Sequence, residues 1–302
     1  MKLHVVKLRW VWFAASAVMI VGSLFSLGFW GLRQGIDFTG GSLLSVRFSA
    51  RPTPIELRQS MESAQVNLGS VVIQPAGEQD MQVRLQHISE EEHQKLLTAI
   101  QTVYPGAEEM RFDAIGPTVG DELRQKSIQG LLIALLAIMI YVALAFRKVS
   151  APVKSWKYGL VTIFSAFHDV IVPVGVFSIL GHFYGWEVGT SFIAAVLTIL
   201  GYSITDTIVV MDRIRENLHK RSGTFEEIVE ASVHQTFLRS FNTSMTTLLV
   251  LTAIAIFGGE SLREFTLTLI IGIAVGTYSS IFVAAPLLVT WEKWSRDAQK
   301  KS

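Results

Sequence analysis

The amino-acid sequence predicts a polytopic α-helical membrane protein that carries one small α+β domain outside the membrane. Half of the 302 residues are hydrophobic and only 17% are charged, whereas a typical soluble domain has about 25% charged residues. The apolar residues are also concentrated in runs, and six of these runs are long enough to cross a hydrocarbon core of about 30 Å as a helix. The predicted spans lie near 10–30, 128–146, 159–181, 189–211, 240–257 and 265–290.

Net charge and cysteine content exclude several kinds of function. The formal net charge of +1 provides no strong field that would attract nucleic acid. The chain has no cysteine, which excludes disulfides, thiolate zinc sites and cysteine nucleophiles. We therefore expect neither a nucleic-acid partner nor a cysteine-based site, and we predict no metal site.

The first apolar run is interpreted as a retained transmembrane helix. It follows a basic start, as a signal peptide does, but its apolar stretch is longer than the roughly 7–15 residues of a signal peptide. The small residues Ala15, Ser16 and Ala17 lie too early in the run to mark a cleavage site.

The distribution of Lys and Arg predicts the orientation. The tails and loops 1–9, 147–157, 212–239 and 291–302 carry sixteen of the 26 basic residues, whereas the short loops 182–188 and 258–264 carry one. Basic short loops remain in the cytoplasm, so both termini are predicted to be cytoplasmic. The predicted organisation is a tail 1–9, a first span 10–30, an extracytoplasmic domain 31–127, a bundle 128–290 with a cytoplasmic loop 212–239, and a tail 291–302.

The segment 31–127 predicts a ferredoxin-like domain of order βαββαβ. Two helices are expected to begin at capping boxes, formed by Thr53 with Glu56 and by Ser89 with Glu92. His87 and His93 are interpreted as surface histidines. The expected strands lie at 42–49, 70–74, 81–86 and 108–115, the helices at 54–65 and 90–104, and a turn at 75–77.

Ionisable residues within the predicted spans are the candidate functional groups, because each costs about 2.5–3.5 kcal/mol to insert. Span three contains His168 and Asp169, span four contains Asp206, and Arg239 lies at the start of span five. A carboxyl group whose contact with a cation can open and close is a workable proton site. Three structural alternatives remain open: Asp169 as a helix-joining group, Asp206 as a headgroup-level residue, and Arg239 as a cytoplasmic anchor.

Three further patterns concern helix packing and shape. Gly272 and Gly276 form a GxxxG element, which predicts close packing against another helix, within the chain or from a partner. Pro173 and Pro286 predict kinks in spans three and six. The loop 212–239 is amphipathic and predicts a helix lying on the membrane surface.

A further set of motifs runs along the chain. It consists of Gly35, Asp37, Phe38, Gly40 and Gly41 after span one, 116–120 before span two, His168 and Asp169, the run from Gly201, Tyr202 and Ser203 to 216, and 276–280. These motifs resemble the SecF family of the bacterial SecD–SecF protein-export complex, within the RND transporter superfamily, and the resemblance covers about 30–290 in the right order. Two departures, Thr205 and Met211, replace residues common in the family without removing an ionisable group.

The resemblance implies six helices of the RND type and a role as an auxiliary subunit of the Sec translocase. That role uses the proton-motive force to promote late stages of protein export, with no cofactor and with protons as the coupling ion. It links Asp206 and Arg239 to proton conduction. The implied location is the bacterial inner membrane, and the implied partners are SecD, the SecYEG channel, YajC, YidC, unfolded preprotein and membrane lipid.

Other functions are weighed against this one. An intramembrane aspartyl protease needs a Gly-x-Gly-Asp type motif, which the residues 203–206 do not form, so we expect no enzymatic activity. A small-molecule efflux pump of the superfamily usually has about twelve spans and two large external domains. A passive scaffold subunit, whose membrane charges only hold helices together, remains an alternative.

Overall fold

The computed structural model describes residues 4–146 and 153–299. The described chain forms two compact units, one that joins the residues up to Arg33 to those from Gln129 onward, and one spanning Gln34–Ile128. The start of the predicted N-terminal tail, part of the basic loop 147–157 and the last residues of the C-terminal tail lie outside the described residues.

The Gln34–Ile128 unit contains a four-stranded antiparallel sheet with strand order β2-β3-β1-β4. β1 and β2, which one helix connects, lie on either side of β3, and β3 and β4, which the other helix connects, lie on either side of β1. The ferredoxin-like pattern requires this order. The fold class predicted for this segment is confirmed. Its elements are α2 (Ile36–Thr39), β1 (Gly41–Arg47), α3 (Pro54–Glu62), β2 (Val72–Ala76), β3 (Asp80–Leu85), α4 (Glu90–Val103) and β4 (Glu108–Ile115).

One face of the sheet packs against α3 and α4. Leu44 on β1 lies opposite Val83 on β3, and both are fully buried with Leu57 of α3 and Leu96 of α4. Both predicted capping boxes are present at the starts of these helices. The apolar alternation of the strands and the apolar stripe of each helix therefore meet in one core.

The predicted turn at 75–77 is wrong in part, because Pro75 and Ala76 belong to β2. β2 is an edge strand, where a proline that cannot donate to the sheet is tolerated. The chain turns only from Gly77, which has a φ of 73°.

The prediction of a surface position is wrong for His93, although His87 is exposed. The His93 side chain is only 3% exposed and stacks on Phe112 with ring centroids 3.7 Å apart. Its Nδ1 lies 3.2 Å from Glu90 Oε1 and its Nε2 lies 3.3 Å from Glu109 Oε2. The physical reason is the helical period. Leu96 and Ile100 lie three and seven residues further along α4 and are buried in the core, so His93 lies on the same buried face of the helix.

The other unit is a helical bundle. Six helical segments in the described chain are long and apolar enough to cross a membrane, with α5 beginning within the Gln34–Ile128 unit. The number and order agree with the predicted spans, and α5 begins well before the predicted start at 128. The helices are α1 (Arg9–Trp30), α5 (Pro117–Ala145), α6 (Ser155–Tyr184), α7 (Thr190–Lys220), α8 (Phe225–Phe257), α9 (Glu260–Ser279) and α10 (Ala285–Gln299). The last two, α9 and α10, together form the sixth segment.

The predicted surface helix in the loop 212–239 is wrong. Helix α7 continues to Lys220 and α8 begins at Phe225, so only four residues separate the two long helices. Val229 and Val233 of α8 are fully buried in a cluster with Val5 and Val6 of the N-terminal segment. The amphipathic face in this region therefore packs on protein rather than on lipid.

A π-helical turn, Ser280–Ala284, joins α9 to α10. Pro286 is the second residue of α10, and a proline disturbs the helical hydrogen bonding of the preceding turn. Helix α6 continues through Pro173. The proline in the last span therefore marks a local widening of the helix, which the sequence analysis predicted only as a kink.

Candidate functional site

The Asp169 carboxyl group on α6 is fully buried, and its contacts join three helices. His168 Nδ1 lies 2.8 Å from Asp169 Oδ1. The hydroxyls of Ser203 on α7 and Ser279 on α9 both donate to Asp169 Oδ2, the second at 2.7 Å. Ser165 Oγ lies 3.0 Å from Ser279 Oγ. Both carboxylate oxygens are therefore satisfied, and the group ties α6 to α7 and α9.

Glycines on α9 permit this close approach. A Cβ added at Gly276 would lie 3.1 Å from Ser203 Cβ and 3.6 Å from Asp169 Oδ2. One turn earlier, a Cβ added at Gly272 would lie only 2.2 Å from Ile199 Cδ1. The GxxxG element thus packs against α7 of the same chain.

Asp206 on α7 has a different environment from Asp169. Its side chain is half-buried, and Ser240 Oγ on α8 donates to Asp206 Oδ1 at 2.5 Å. Ser280 is nearby, but its hydroxyl is bonded to Gly276 O and to Thr207 Oγ1. Asp206 Oδ2 is buried without a hydrogen-bond partner among the residues that the structure describes.

Arg239 does not form the direct ion pair with Asp206 that the sequence analysis suggested. It precedes Ser240 on α8 and is exposed, near enough to act on the Asp206 carboxyl through its charge. Within the described chain, no nitrogen of Arg239 lies within 4.0 Å of a carboxylate oxygen. Among the described residues, the structure therefore shows no direct ion pair between Asp206 and Arg239.

The motif residues around Gly201 and Tyr202 on α7 lie on both the exposed and the buried side of the helix. Gly201 is exposed and Ser203 is buried. Tyr202 Oη donates to Ser244 Oγ on α8 at 3.2 Å, and Thr277 Oγ1 on α9 donates to the same oxygen at 2.5 Å. The motif thus contributes to two polar contacts between helices.

The glycine-rich motif of the smaller unit builds a short structural element. Gly35 is the N-cap of α2, Phe38 is buried, and Asp37 lies in the first turn of that helix. Acidic residues are favourable at this end of a helix. These motif residues lie in the Gln34–Ile128 unit.

Gly40 and Gly41 occupy conformations that favour glycine. Their φ values are 68° and 127°, in the region that side chains avoid. A Cβ at Gly40 would lie 2.8 Å from Pro117 Cα, and a Cβ at Gly41 would lie 2.9 Å from Leu85 O. Both glycines therefore allow the start of β1 to approach the backbone closely at Pro117 and at Leu85.

Sequence reasoning missed several hydroxyl groups that complete the polar contacts. Serine and threonine are common in spanning helices, so their presence alone carries little information. Only their spacing on one helix face, aligned with the carboxylates, would have singled them out. They are Ser165, Ser240 and Ser244, whereas Thr277 and Ser279 lie within the matching segment 276–280.

The two carboxyl groups differ in the number of their hydrogen-bond donors. No group of three or more His, Asp or Glu residues in the described parts of the chain could hold a metal ion. Asp169 has donors on both oxygens, whereas Asp206 has one donor and one free oxygen. Asp206 is therefore the carboxyl group whose partners can change without breaking several contacts.

Known proteins are similar to this chain over most of its length. A family described as "Protein export membrane protein SecD/SecF, C-terminal" matches residues 95–294, and the "SecD/SecF GG Motif" matches residues 25–50. The protein translocase subunit SecF of Thermobaculum terrenum is 41% identical over 96% of this chain and 94% of its own length. The SecF of Haemophilus influenzae is 38% identical over 92% and 82%.

Solved structures agree with the sequence relatives. The crystal structure of SecDF from Thermus thermophilus, a translocon-associated membrane protein, aligns with a TM-score of 0.83 and 33% identity over 97% of this chain. The chain spans 39% of that SecDF protein. SecD is therefore indicated as the partner of proteins of this kind. The matches and the six apolar helices together show that this multi-pass membrane chain belongs to the SecF family of protein translocase subunits.

Proposed function

We propose that the chain acts with SecD as a proton-driven auxiliary subunit of the Sec translocase that promotes late stages of protein export. The observation that carries this proposal is the environment of Asp206. This carboxyl group within the bundle accepts a hydrogen bond from the Ser240 hydroxyl, keeps one oxygen without a partner at hydrogen-bond geometry among the described residues, and has a cation next to Ser240 in the sequence.

The energetics support a proton-coupling role for Asp206. An unpaired ionised carboxylate is costly within a membrane, so the group tends either to bind a proton or to gain a cationic partner. Arg239 is the cation within reach. A membrane potential contributes about 2.3 kcal/mol per charge per 100 mV, which is enough to bias the choice between these two states.

Asp169 and His168 have a supporting part in this proposal. The Asp169 carboxyl accepts from two helices other than its own, so exchanging a proton there would disturb several contacts at once. His168 Nε2 is buried without a partner among the described residues. We assign Asp169 to holding helices together and keep His168 as a candidate second proton group.

One exposed face of the bundle supports a partner within the membrane. Gly201 and Thr205 on α7 are exposed, as are Arg239, Asn242 and Thr246 on α8. Polar and small residues in spanning helices favour contact with another helix over contact with lipid. We propose that SecD covers this face, and that SecYEG, YajC, YidC and unfolded preprotein are further partners in the inner membrane, with both termini in the cytoplasm.

The decisive experiment replaces Asp206 with Asn, which keeps the size of the side chain and removes its charge. Export of a secretory precursor is followed by pulse-chase in cells whose only SecF is the variant. Export is expected to slow to the level of cells lacking the protein, while the membrane level and co-purification with SecD stay unchanged. Asp297→Asn makes the same change at an exposed position near the chain end and is expected to export normally.

The scaffold alternative makes the opposite prediction. If Asp206→Asn exports at the normal rate, the charge of Asp206 is dispensable and the proton-coupling proposal fails. If the variant is lost from the membrane or no longer binds SecD, Asp206 is needed for assembly, and the result favours the scaffold alternative over proton coupling.

A further inference from the structure

Ser240 donates a hydrogen bond from α8 to Asp206. Its hydroxyl lies 2.5 Å from Asp206 Oδ1, and its side chain is only 1% exposed. The hydroxyl has a single proton to donate. The contact between α7 and α8 at this level therefore depends on one exchangeable hydrogen bond.

The residue next to Ser240 is Arg239, and the two point in different directions. Successive residues of an α-helix are about 100° apart around its axis. Ser240 consequently faces Asp206 while Arg239 is exposed. A rotation of this part of α8, together with the reach of the long arginine side chain, would replace the neutral hydroxyl at Asp206 by a guanidinium.

The free oxygen of Asp206 makes such an exchange feasible. Asp206 Oδ2 is buried and has no hydrogen-bond partner within the described residues. A guanidinium donor can approach this oxygen before the bond between Ser240 and Oδ1 breaks. The exchange then avoids an intermediate in which the carboxylate has lost all its donors, which would be costly in a buried environment.

The packing of α8 is suited to movement in this region. The first part of α8 is held by buried apolar side chains, among them Val229 and Val233. Beyond Thr236, its buried residues are Ser240, Ser244 and Leu251. Hydroxyl contacts can be exchanged at low cost, whereas interdigitated apolar side chains resist rotation.

We propose that Ser240 is a positioning residue for the proton step, which holds Asp206 while Arg239 is turned away and releases it when Arg239 takes its place. This inference rests on the proposed function of Asp206 and adds the group that competes with the arginine. The charged or titratable groups around Asp206 are Arg239 on α8 and, on α6, Asp169 with its neighbour His168. Both groups on α6 are already bonded to each other.

The test measures the protonation of Asp206 directly. Dicyclohexylcarbodiimide reacts with protonated carboxyl groups in membranes, so labelling of Asp206 is followed by mass spectrometry between pH 5 and 9 in the purified complex with SecD. The variants are Ser240→Ala, which removes the hydroxyl, and Ser240→Thr, which keeps it. The control Ser244→Ala removes a buried hydroxyl one turn away that bonds Tyr202 and Thr277 instead.

We expect the pH of half-labelling in Ser240→Ala to move upward by about one pH unit, because the charged carboxylate has lost its donor. Ser240→Thr and Ser244→Ala are expected to label like the parent chain. A Ser240→Ala profile that coincides with the parent overturns the proposal. An equal shift in Ser244→Ala also overturns it, because the effect then comes from helix packing.

The outcome is separable from that of the proposed function. Labelling requires no export, so it reports on the Ser240 contact even if Asp206→Asn cells export normally. In that case the proton-coupling proposal fails while the assignment of Ser240 as the partner of Asp206 stands. If Asp206→Asn abolishes export but Ser240→Ala shows no labelling shift, the proton-coupling proposal stands and the assignment of Ser240 fails.

Discussion

Two carboxyl groups in the same bundle have opposite environments. Asp169 is fully buried and receives contacts from α6, α7 and α9. Asp206 is half-buried, receives one hydrogen bond from α8 and keeps one oxygen without a partner among the described residues. Two aspartates of the same bundle therefore differ in how many helices hold their carboxyl groups by hydrogen bonds.

The difference follows from the residues that surround each carboxyl group. Gly276 allows α9 to approach closely enough for Ser279 to reach Asp169. Near Asp206, the hydroxyl of Ser280 bonds Thr207 and Gly276, and Asp206 Oδ2 has no partner at hydrogen-bond geometry among the described residues. The number of donors, rather than burial alone, separates the two sites.

The largest expected effect is the loss of unfolding free energy when Asp169 is removed, compared with the loss when Asp206 is removed. Asp169→Ala leaves His168 Nδ1 and the hydroxyls of Ser203 and Ser279 without their acceptor, and should destabilise the bundle by about 3–5 kcal/mol. Asp206→Ala strands one hydroxyl and should cost about 1 kcal/mol. Thermal unfolding of the purified chain in mild detergent measures both. Equal losses in the two variants would contradict the distinction between a fixed and an exchangeable carboxyl group.

The second prediction sharpens the comparison by changing the spacing of α7 and α9. Gly272→Ala places a methyl group 2.2 Å from Ile199 Cδ1 and should cost about 1–3 kcal/mol in unfolding free energy. The cost should shrink when Ile199→Ala is added, because the two residues are in contact.

The matched control for the glycine change lies on a helix face with free space. A Cβ at Gly130 has no neighbour within 4 Å, so Gly130→Ala should leave the unfolding temperature unchanged or raise it slightly. A loss at Gly130 as large as that at Gly272 would show that helix spacing is not the cause.

The smallest expected effect serves as a reference outside the membrane-spanning helices. Thr53→Ala removes the N-cap of α3 and should destabilise that helix by about 1 kcal/mol. Amide hydrogen exchange of the full chain measures it, and the amides around Asp169 and Asp206 should not change. Faster exchange around either carboxyl group would mean that cap loss in one unit disturbs the other.

The same cap predicts a pH dependence. The backbone and side chain of Thr53 hydrogen-bond to Glu56 and hold the pKa of that carboxyl below its ordinary value. A lowered pKa means that the contribution to stability is present at neutral pH and is lost as the pH falls through the lowered value. Protection of α3 should therefore decrease below about pH 4, and less so in Thr53→Ala.

Much of the fold could be predicted because its determinants are local. Apolar run length predicted the spans, and capping boxes at Thr53 and Ser89 predicted the helix starts of the sheet domain. Errors arose where a local pattern has two meanings. The amphipathic stretch in 212–239 packs on Val5 and Val6 instead of lipid, and His93 occupies a position that only the helical period links to the core.

The candidate site was predicted in its charges but not in its partners. Charged residues in apolar spans are rare enough to identify Asp169 and Asp206 from composition. Ser240 could not be identified in this way, because hydroxyl residues occur throughout the spans. The direct contact between Asp206 and Arg239 was also expected, and the structure shows Ser240 in that place.

The sequence by itself determined the six spans, the order of the sheet domain, the family and the two candidate carboxyl groups in the spans. These depend on periodicity, run length and residue type, which are properties of neighbouring residues. Only the tertiary structure decided that Asp169 meets donors from three helices while Asp206 meets one. Hydrogen bonds between helices depend on the rotation and spacing of those helices, which side-chain size sets, as the missing Cβ of Gly276 does across the contact with Ser203.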